Sequence, residues 1–193
     1  MSPDAWAVEQ SALLRGLAHA LSNRVGTIAS AVGMLVAGAP VAAPIVDVLQ
    51  DEGARLEELL ALVRLLGGEG GAEGEEPIHV PDLVRPAVAL HAHHPDVRDV
   101  PCAIDEQSIG MPALASHAAV TRALLLLLTA TKRAADGGAV RAGWAETPEA
   151  VVLSLDGGNI APDALTAAGA LLGGSGRVDT TRTGCRIALR RFG

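Results

Sequence analysis

The sequence predicts an α+β protein in which a two-helix hairpin precedes a domain of helices packed on one sheet. Apolar residues recur on a seven-residue period between positions 13 and 35, the pattern of a helix that packs along another helix. The acidic, glycine-rich stretch GGEGGAEGEE at 67–76 indicates a flexible linker. After it, short helical and strand patterns alternate, as in a layered domain. We therefore assign residues 1–67 to a dimerisation hairpin, 68–77 to the linker and 78–193 to an α/β sandwich domain.

The first helix of the hairpin carries the candidate functional residue. Ser2-Pro3-Asp4 is a typical helix start, because serine caps the first turn, proline fits it and an acidic side chain favours the positive end of the helix dipole. The segment Gly38-Ala39-Pro40 ends the helix near Ala37. His19 directly follows Ala18, at the flank of the apolar seam, where a side chain reaches water. The predicted seam consists of Leu14, Ala18, Leu21, Val25, Ile28, Val32 and Leu35.

The second helix is predicted to begin at Pro44, and Glu52 interrupts its apolar stripe. Two long helices joined by a short loop form an antiparallel hairpin. A hairpin leaves part of each stripe uncovered, and a second copy of the chain covers it economically by forming a four-helix bundle around a two-fold axis. We therefore expect a homodimer. The stripe of this helix consists of Ile45, Leu49, Leu56, Leu59, Val63 and Leu66.

The second domain is predicted to hold one mostly antiparallel sheet with helices on one face. The unbroken apolar run from Leu124 to Leu128 indicates a helix that is buried nearly all round. The predicted helices are 81–91, 116–135 and 161–172, and the predicted strands are 78–80, 100–104, 139–146, 150–155, 177–181 and 185–191.

The composition limits the partners. The chain has 22 acidic and 15 basic residues, a net charge of −7, and no stripe of Lys and Arg. Nucleic acid is therefore not an expected partner, because neutralising phosphates needs clustered positive charge. The longest apolar run, Ala123 to Leu128, falls short of the roughly 20 residues that span a bilayer, so no membrane contact is expected. The N-terminus lacks the basic residues of a signal peptide, and we expect a soluble cytoplasmic protein.

Cysteine and histidine spacing gives little support for a metal. Cys102 and Cys185 lie far apart, so two free thiols are expected rather than a disulfide or a zinc site. His91, His93 and His94 cluster at a predicted helix end. This cluster is open to two interpretations, a metal site or a polar helix terminus, of which we favour the second. No metal or cofactor is expected.

A histidine on a dimerising hairpin, followed by a domain of three helices and one sheet, resembles the bacterial sensor histidine kinases and their phosphotransfer relatives. The stretch AHALSNR at 18–24 is similar to the phosphoacceptor box of that family, His-Glu/Asp-Leu-x-Asn/Thr-Pro. LLLLLTATKRAADGG at 124–138 resembles the helix that carries the magnesium-binding asparagine. VVLSLDGGNI at 151–160 resembles the strand that leads into the Asp-x-Gly-x-Gly box, and residues 173–189 resemble the closing hairpin.

The resemblance implies that His19 is the phosphoacceptor, with Asn23 and Arg24 completing the catalytic site. Asn23 stands at i+4, beside the imidazole, and matches a position that the kinases use for phosphatase activity. Arg24 replaces the proline of the family and can meet a phosphoryl group or an acidic receiver surface. The alternatives are an ordinary surface histidine at position 19 and solvated side chains at 23 and 24.

This sequence departs from the family pattern at the positions that serve ATP binding and the attack on ATP. Ala20 stands where the kinases place the acid that assists the histidine. Thr129 stands at the position that matches the magnesium-binding asparagine, so the ligand for the metal is replaced. Ile160 replaces the second glycine of the Asp-x-Gly-x-Gly box, and a single predicted helix leaves no room for a long lid over the phosphates. The resemblance therefore implies a degenerate ATP-binding domain, in which Asp156 is a vestige of the acid that recognises adenine.

Two functions follow from this interpretation. The first is a dimeric histidine phosphotransfer protein of a phosphorelay, which exchanges phosphoryl groups between His19 and the aspartate of a response-regulator receiver domain. The receiver would supply the magnesium and the carboxylates for that reaction. The alternative is a non-catalytic pseudo-histidine-kinase that binds a response regulator or a kinase as a scaffold. An active autokinase is the least supported interpretation, because the residues and the lid that would serve ATP are missing from the sequence pattern.

Overall fold

A computed structural model describes residues 4–36, 43–67, 74–105 and 112–193. The predicted helix start at positions 2 and 3, the break at 38–40 and most of the predicted linker lie outside these ranges. The helices are α1 (Asp4–Val36), α2 (Ala43–Gly67), α3 (Val80–His91), α4 (His117–Ala134) and α5 (Pro162–Leu172). The strands are β1 (Glu76–Ile78), β2 (Cys102–Asp105), β3 (Ala113–Ala115), β4 (Val140–Glu146), β5 (Ala150–Asp156), β6 (Gly176–Thr180) and β7 (Gly184–Arg191).

The predicted α+β fold class is confirmed: α1 and α2 pack against each other as a hairpin, and a mixed domain follows them. The buried face of α1 differs from the predicted seam by one position. Leu13 and Leu17 are fully buried, whereas Leu14 and Val25 are exposed. The reason is that α1 packs on the second domain as well as on α2, and its buried face turns toward both neighbours.

Within the described ranges the sheet has seven strands, in the order β1-β3-β7-β5-β4-β2, with β6 also paired to β7. Among the described strands, β2 and β4 pair in parallel and the other pairs are antiparallel, so the sheet is mostly antiparallel, as predicted. Strand β3 was not predicted from the sequence, and β1 lies two residues earlier than expected. β3 has only three residues, so no alternation of apolar and polar side chains can develop in it.

The core lies between the central strands and α4. In β5 the residues alternate between buried and half-buried, which directs one face of the strand to the helices. Helix α4 contacts α1, α3, α5 and β5, and its run from Leu124 to Leu128 is buried throughout, as predicted. Both cysteines are free thiols: Cys102 is half-buried on β2, and burial raises the pKa of Cys185 on β7 to about 12.

Candidate functional site

His19 is an exposed side chain on the outer surface of α1, where the sequence places it. Asn23 Nδ2 lies 3.4 Å from His19 Nε2, so the predicted i+4 contact is present. Arg15 lies at the i−4 position, and the three side chains form one row along the helix. The imidazole is thus presented to solvent from a rigid helix, with an amide beside one of its nitrogens.

Arg24 has a structural partner that the sequence did not identify. Its Nη1 donates to Glu52 Oε1 at 3.1 Å and to Oε2 at 3.4 Å, across the hairpin. Glu52 is buried and also accepts a hydrogen bond of 2.7 Å from Arg55. The acid that interrupts the apolar stripe of α2 is therefore the acceptor for two arginines. Arg24 still lines the space beside His19, but its charge is largely compensated.

The second domain forms the other wall of a cleft at His19. This cleft has a volume of about 370 Å³ and lies between α1 and the segment that follows α3. The two walls meet at Gly16, where a Cβ atom would stand 1.8 Å from the carbonyl oxygen of His93. Glycine is required there, because any side chain would push the helix away from that segment. The lining residues from the second domain are Ala92, His93, Pro95 and Arg98.

His93 is half-buried in this cleft, and burial lowers the pKa of its imidazole. The positive charge of Arg24 lowers that pKa further. His93 therefore favours the neutral form, and the cleft places two imidazoles, those of His19 and His93, within one positively charged recess.

A buried polar cluster joins α1 to the second domain. Thr129 Oγ1 on α4 donates a hydrogen bond of 2.5 Å to Glu9 Oε1 on α1 and lies 2.8 Å from His91 Nε2. His91 Nδ1 lies 2.8 Å from the carbonyl oxygen of Ala87, and His94 Nε2 lies 3.3 Å from Glu9 Oε1. Glu9, Thr129, His91 and His94 are all at most 3 % exposed. We call these four residues the hairpin latch.

The latch explains the histidine cluster found in the sequence. His91 and His94 are buried and their rings stack with centroids 6.0 Å apart, so this end of α3 is an internal contact rather than the polar terminus that we favoured. Burial is the largest influence on His91 and lowers its pKa to about 4, although the Ala87 carbonyl and the Glu9 carboxylate oppose that shift. Within the described ranges, no group of His, Cys, Asp or Glu is arranged to hold a metal ion.

The positions that match the nucleotide boxes of the kinases have structural roles here. Asp156 Oδ1 accepts a hydrogen bond of 2.9 Å from Thr183 Oγ1, and Ile160 is buried. A Cβ atom at Gly158 would lie 2.2 Å from the carbonyl oxygen of Ala134, so close packing accounts for that glycine. Helix α5 begins at Pro162, shortly after β5 ends, and it is the one helix that the sequence predicts between Ile160 and Gly173.

An apolar stripe on the hairpin remains uncovered within one protomer. On α1 the exposed fractions are 43 % for Leu14, 56 % for Val25 and 44 % for Val32. On α2 it is 49 % for Leu60. His19 follows the stripe residue Ala18 and is therefore turned by about 100° from it, so its row of polar side chains is separate from the stripe. None of the described helices is long and apolar enough to cross a membrane.

Solved structures of histidine kinases have an architecture similar to this one. Histidine kinase AdeS of Acinetobacter baumannii is similar over 91 % of this chain and 98 % of its own, with a TM-score of 0.51 at 12 % identity. The catalytic domain of histidine kinase ThkA is similar over 61 % of this chain and 97 % of its own, with a TM-score of 0.50 at 11 % identity.

ThkA in complex with the response regulator protein TrrA is similar over 90 % of this chain and 59 % of its own, with a TM-score of 0.47 at 11 % identity. No protein-family model matches the sequence, and no curated protein matches it. The likeness is one of fold. The chain therefore has a histidine-kinase-like fold, in which a helical hairpin precedes a domain like the catalytic domain of those kinases.

Proposed function

We propose that this protein is a dimeric histidine phosphotransfer protein, which exchanges phosphoryl groups between His19 and the aspartate of a receiver domain. The observation that carries the proposal is the setting of His19: an exposed imidazole on a rigid helix, beside Asn23, at the edge of a cleft lined by arginines. A transferable group has to be held on a rigid element and reached from solvent, and His19 meets both conditions.

The proposed reaction requires one nucleophilic imidazole nitrogen from this chain. In the tautomer that carries its proton on Nδ1, His19 Nε2 has the lone pair and is the nucleophile, with the Asn23 amide nitrogen 3.4 Å away. It attacks the phosphorus of the receiver's acyl phosphate, the N–P bond forms, and the P–O bond to the aspartate breaks, leaving that residue as a carboxylate. In the reverse direction the aspartate oxygen attacks and the imidazole leaves. The receiver would supply the magnesium, which would neutralise charge on the phosphoryl oxygens.

We propose that the second domain does not use ATP. Thr129, at the position that resembles the magnesium-binding asparagine, is buried and bonded to Glu9 of the hairpin. A carboxylate at that place repels a triphosphate, and the short segment before α5 offers no lid. Ala20, next to His19, provides no base for an attack on ATP.

We propose that the exposed stripe of the hairpin is the dimer interface. Leu14, Val25 and Val32 lie on the face of α1 that is turned from His19, so a second hairpin can cover them without blocking the phosphoacceptor. The four helices then form the bundle that the seven-residue period predicts. A receiver-domain partner implies that the protein works in the cytoplasm.

The decisive experiment incubates the protein with a ³²P-labelled phospho-receiver and, separately, with labelled ATP. We expect acid-labile label on the protein from the phospho-receiver and none from ATP. His19→Ala should lose the label and remain a dimer, because the stripe is untouched. Label from ATP on His19 would show an autokinase. Binding to the receiver without any transfer would replace the proposal with the scaffold function.

A further inference from the structure

The cleft at His19 is positively charged although the chain as a whole carries a net charge of −7. Arg15 and Arg24 line it from α1, and Arg98 lines it from the second domain. None of its described lining residues is acidic. A recess of this kind, on an otherwise acidic protein, concentrates anions.

Two of the three arginines have little of their charge compensated. Arg24 is bonded to the buried Glu52. Arg98 has Asp99 as its ion-pair partner, at 3.9 Å, and that carboxylate is 94 % exposed, so the pair is weak. Arg15 makes no ion pair with any residue of the described ranges. Two guanidinium groups, one on each wall, are thus available to an anion.

The wall that carries Arg98 is rigidly held. The Arg98 backbone NH donates to the His94 carbonyl at 3.1 Å, and the Asp96 NH donates to His94 Nδ1 at 3.1 Å. Lys132 Nζ donates to the Val97 carbonyl at 3.5 Å. The contact at Gly16 fixes the distance of this segment from α1. The placement of Arg98 beside His19 is therefore built into the docking of the hairpin on the second domain.

We propose that this cleft is a phosphoryl-binding site shared by both domains, in which Arg15 and Arg98 are positioning residues for the group carried by His19. The inference rests on the proposed phosphotransfer function and deepens it. A guanidinium fork matches phosphoryl oxygens with two parallel hydrogen bonds, and its charge offsets the negative charge on a phosphohistidine. The second domain thereby contributes directly to the reaction, although it has lost the features of a nucleotide site.

The first test measures anion binding without any transfer. Inorganic phosphate is titrated into the chain of residues 1–193 while the imidazole signals of His19 and His93 are followed by NMR. We expect both signals to move, and Arg98→Ala to weaken phosphate binding about tenfold, which corresponds to about 1.4 kcal/mol. Arg98→Lys should restore part of the loss. Arg133→Ala is the matched control, since Arg133 is as exposed as Arg98 but pairs with Asp96 outside the cleft.

The second test measures the rate of label transfer from a phospho-receiver and the lifetime of the phosphohistidine. Arg15→Ala and Arg98→Ala should slow transfer about tenfold, again about 1.4 kcal/mol, and leave the melting temperature unchanged. Wild-type rates and wild-type phosphate affinity in both variants would overturn the inference while the phosphotransfer function stands. Phosphate binding that depends on Arg98, in a protein that never accepts label, would support the anion site and remove the phosphotransfer function.

Discussion

The carboxylate of Glu9 accepts a hydrogen bond of 2.5 Å from the hydroxyl of Thr129, a residue in the other domain and 120 positions further along the chain. This bond links the first turns of the hairpin to the central helix of the sheet domain. Because both side chains are buried, neither can exchange its partner for water unless the domains separate. The bond therefore sets the position of the hairpin on the domain.

Glu9→Ala should lower the free energy of unfolding by about 1–3 kcal/mol, because the Thr129 hydroxyl loses its buried acceptor and the His94 imidazole loses the carboxylate beside it. Urea denaturation followed by circular dichroism measures the change. Glu57→Ala on the exposed face of α2 is the control and should have almost no effect. Equal stability of the two variants would show that the latch is energetically unimportant.

Gly16→Ala should separate the hairpin from the second domain, since the added methyl group would overlap the His93 carbonyl. We expect a loss of stability and faster amide hydrogen exchange in 92–98. Gly26→Ala is a matched control in the same helix, where a Cβ meets nothing within 4 Å. That variant should gain up to about 1 kcal/mol from helix propensity. A destabilised Gly26→Ala would contradict this account.

Stability should fall on mild acidification because of His91. Its pKa is about 4 in the folded protein and 6.5 as its ordinary value, so between these values the unfolded chain binds a proton that the folded protein does not. The contribution of neutral His91 to the free energy of unfolding is present in full above pH 6.5. It is lost as the pH falls toward 4, by up to about 3 kcal/mol.

Denaturation at a series of pH values should show a flatter profile for His91→Gln than for the wild type. His79→Gln, at an exposed histidine, should leave the profile as it is. If His91→Gln showed the full dependence, another group would be responsible.

Replacing Val25 and Val32 by aspartate should convert the proposed dimer to a monomer, because each copy would bury two charges in the proposed interface. Light scattering at tens of micromolar, roughly the range of a weak specific interface, gives the mass directly. Ser30→Asp, on an exposed part of α1 away from the stripe, should remain dimeric. A monomeric wild type would exclude the four-helix bundle.

Asn23→Ala should slow phosphotransfer or alter hydrolysis of the phosphohistidine without abolishing labelling, since Asn23 orients His19 but forms no bond to phosphorus. The measurement is the time course of label on the protein after mixing with a phospho-receiver. Complete loss of labelling in a folded Asn23→Ala protein would mean that Asn23 does more than orient the ring.

Much of the fold could be predicted because periodicity is a property of neighbouring residues. The seven-residue repeat of α1 and the apolar run of α4 each reveal an element without reference to the rest of the chain. The prediction of the buried face of α1 was wrong by one position, at Leu13 and Leu14, because that face also packs against a second neighbour beyond α2.

The position and exposure of His19 could also be predicted, together with its contact to Asn23, since i+4 geometry is local. The latch and the second wall of the cleft could not. Glu9 contacts Thr129, and His19 shares a cleft with Arg98, only through the docking of two domains, which no spacing in one sequence encodes. One signal was available: an acidic residue within an apolar helix face, at Glu9 as at Glu52, indicates a buried partner.

The meeting of two domains at Gly16 has a thermodynamic consequence for any partner that contacts both walls of the cleft. Such a partner binds more tightly when the hairpin is docked, and by reciprocity it opposes undocking with the same free energy. Substitutions at the latch, far from the partner, should then change affinity as well as stability. The degree of docking would then set the affinity for such a partner, through residues that lie outside the cleft.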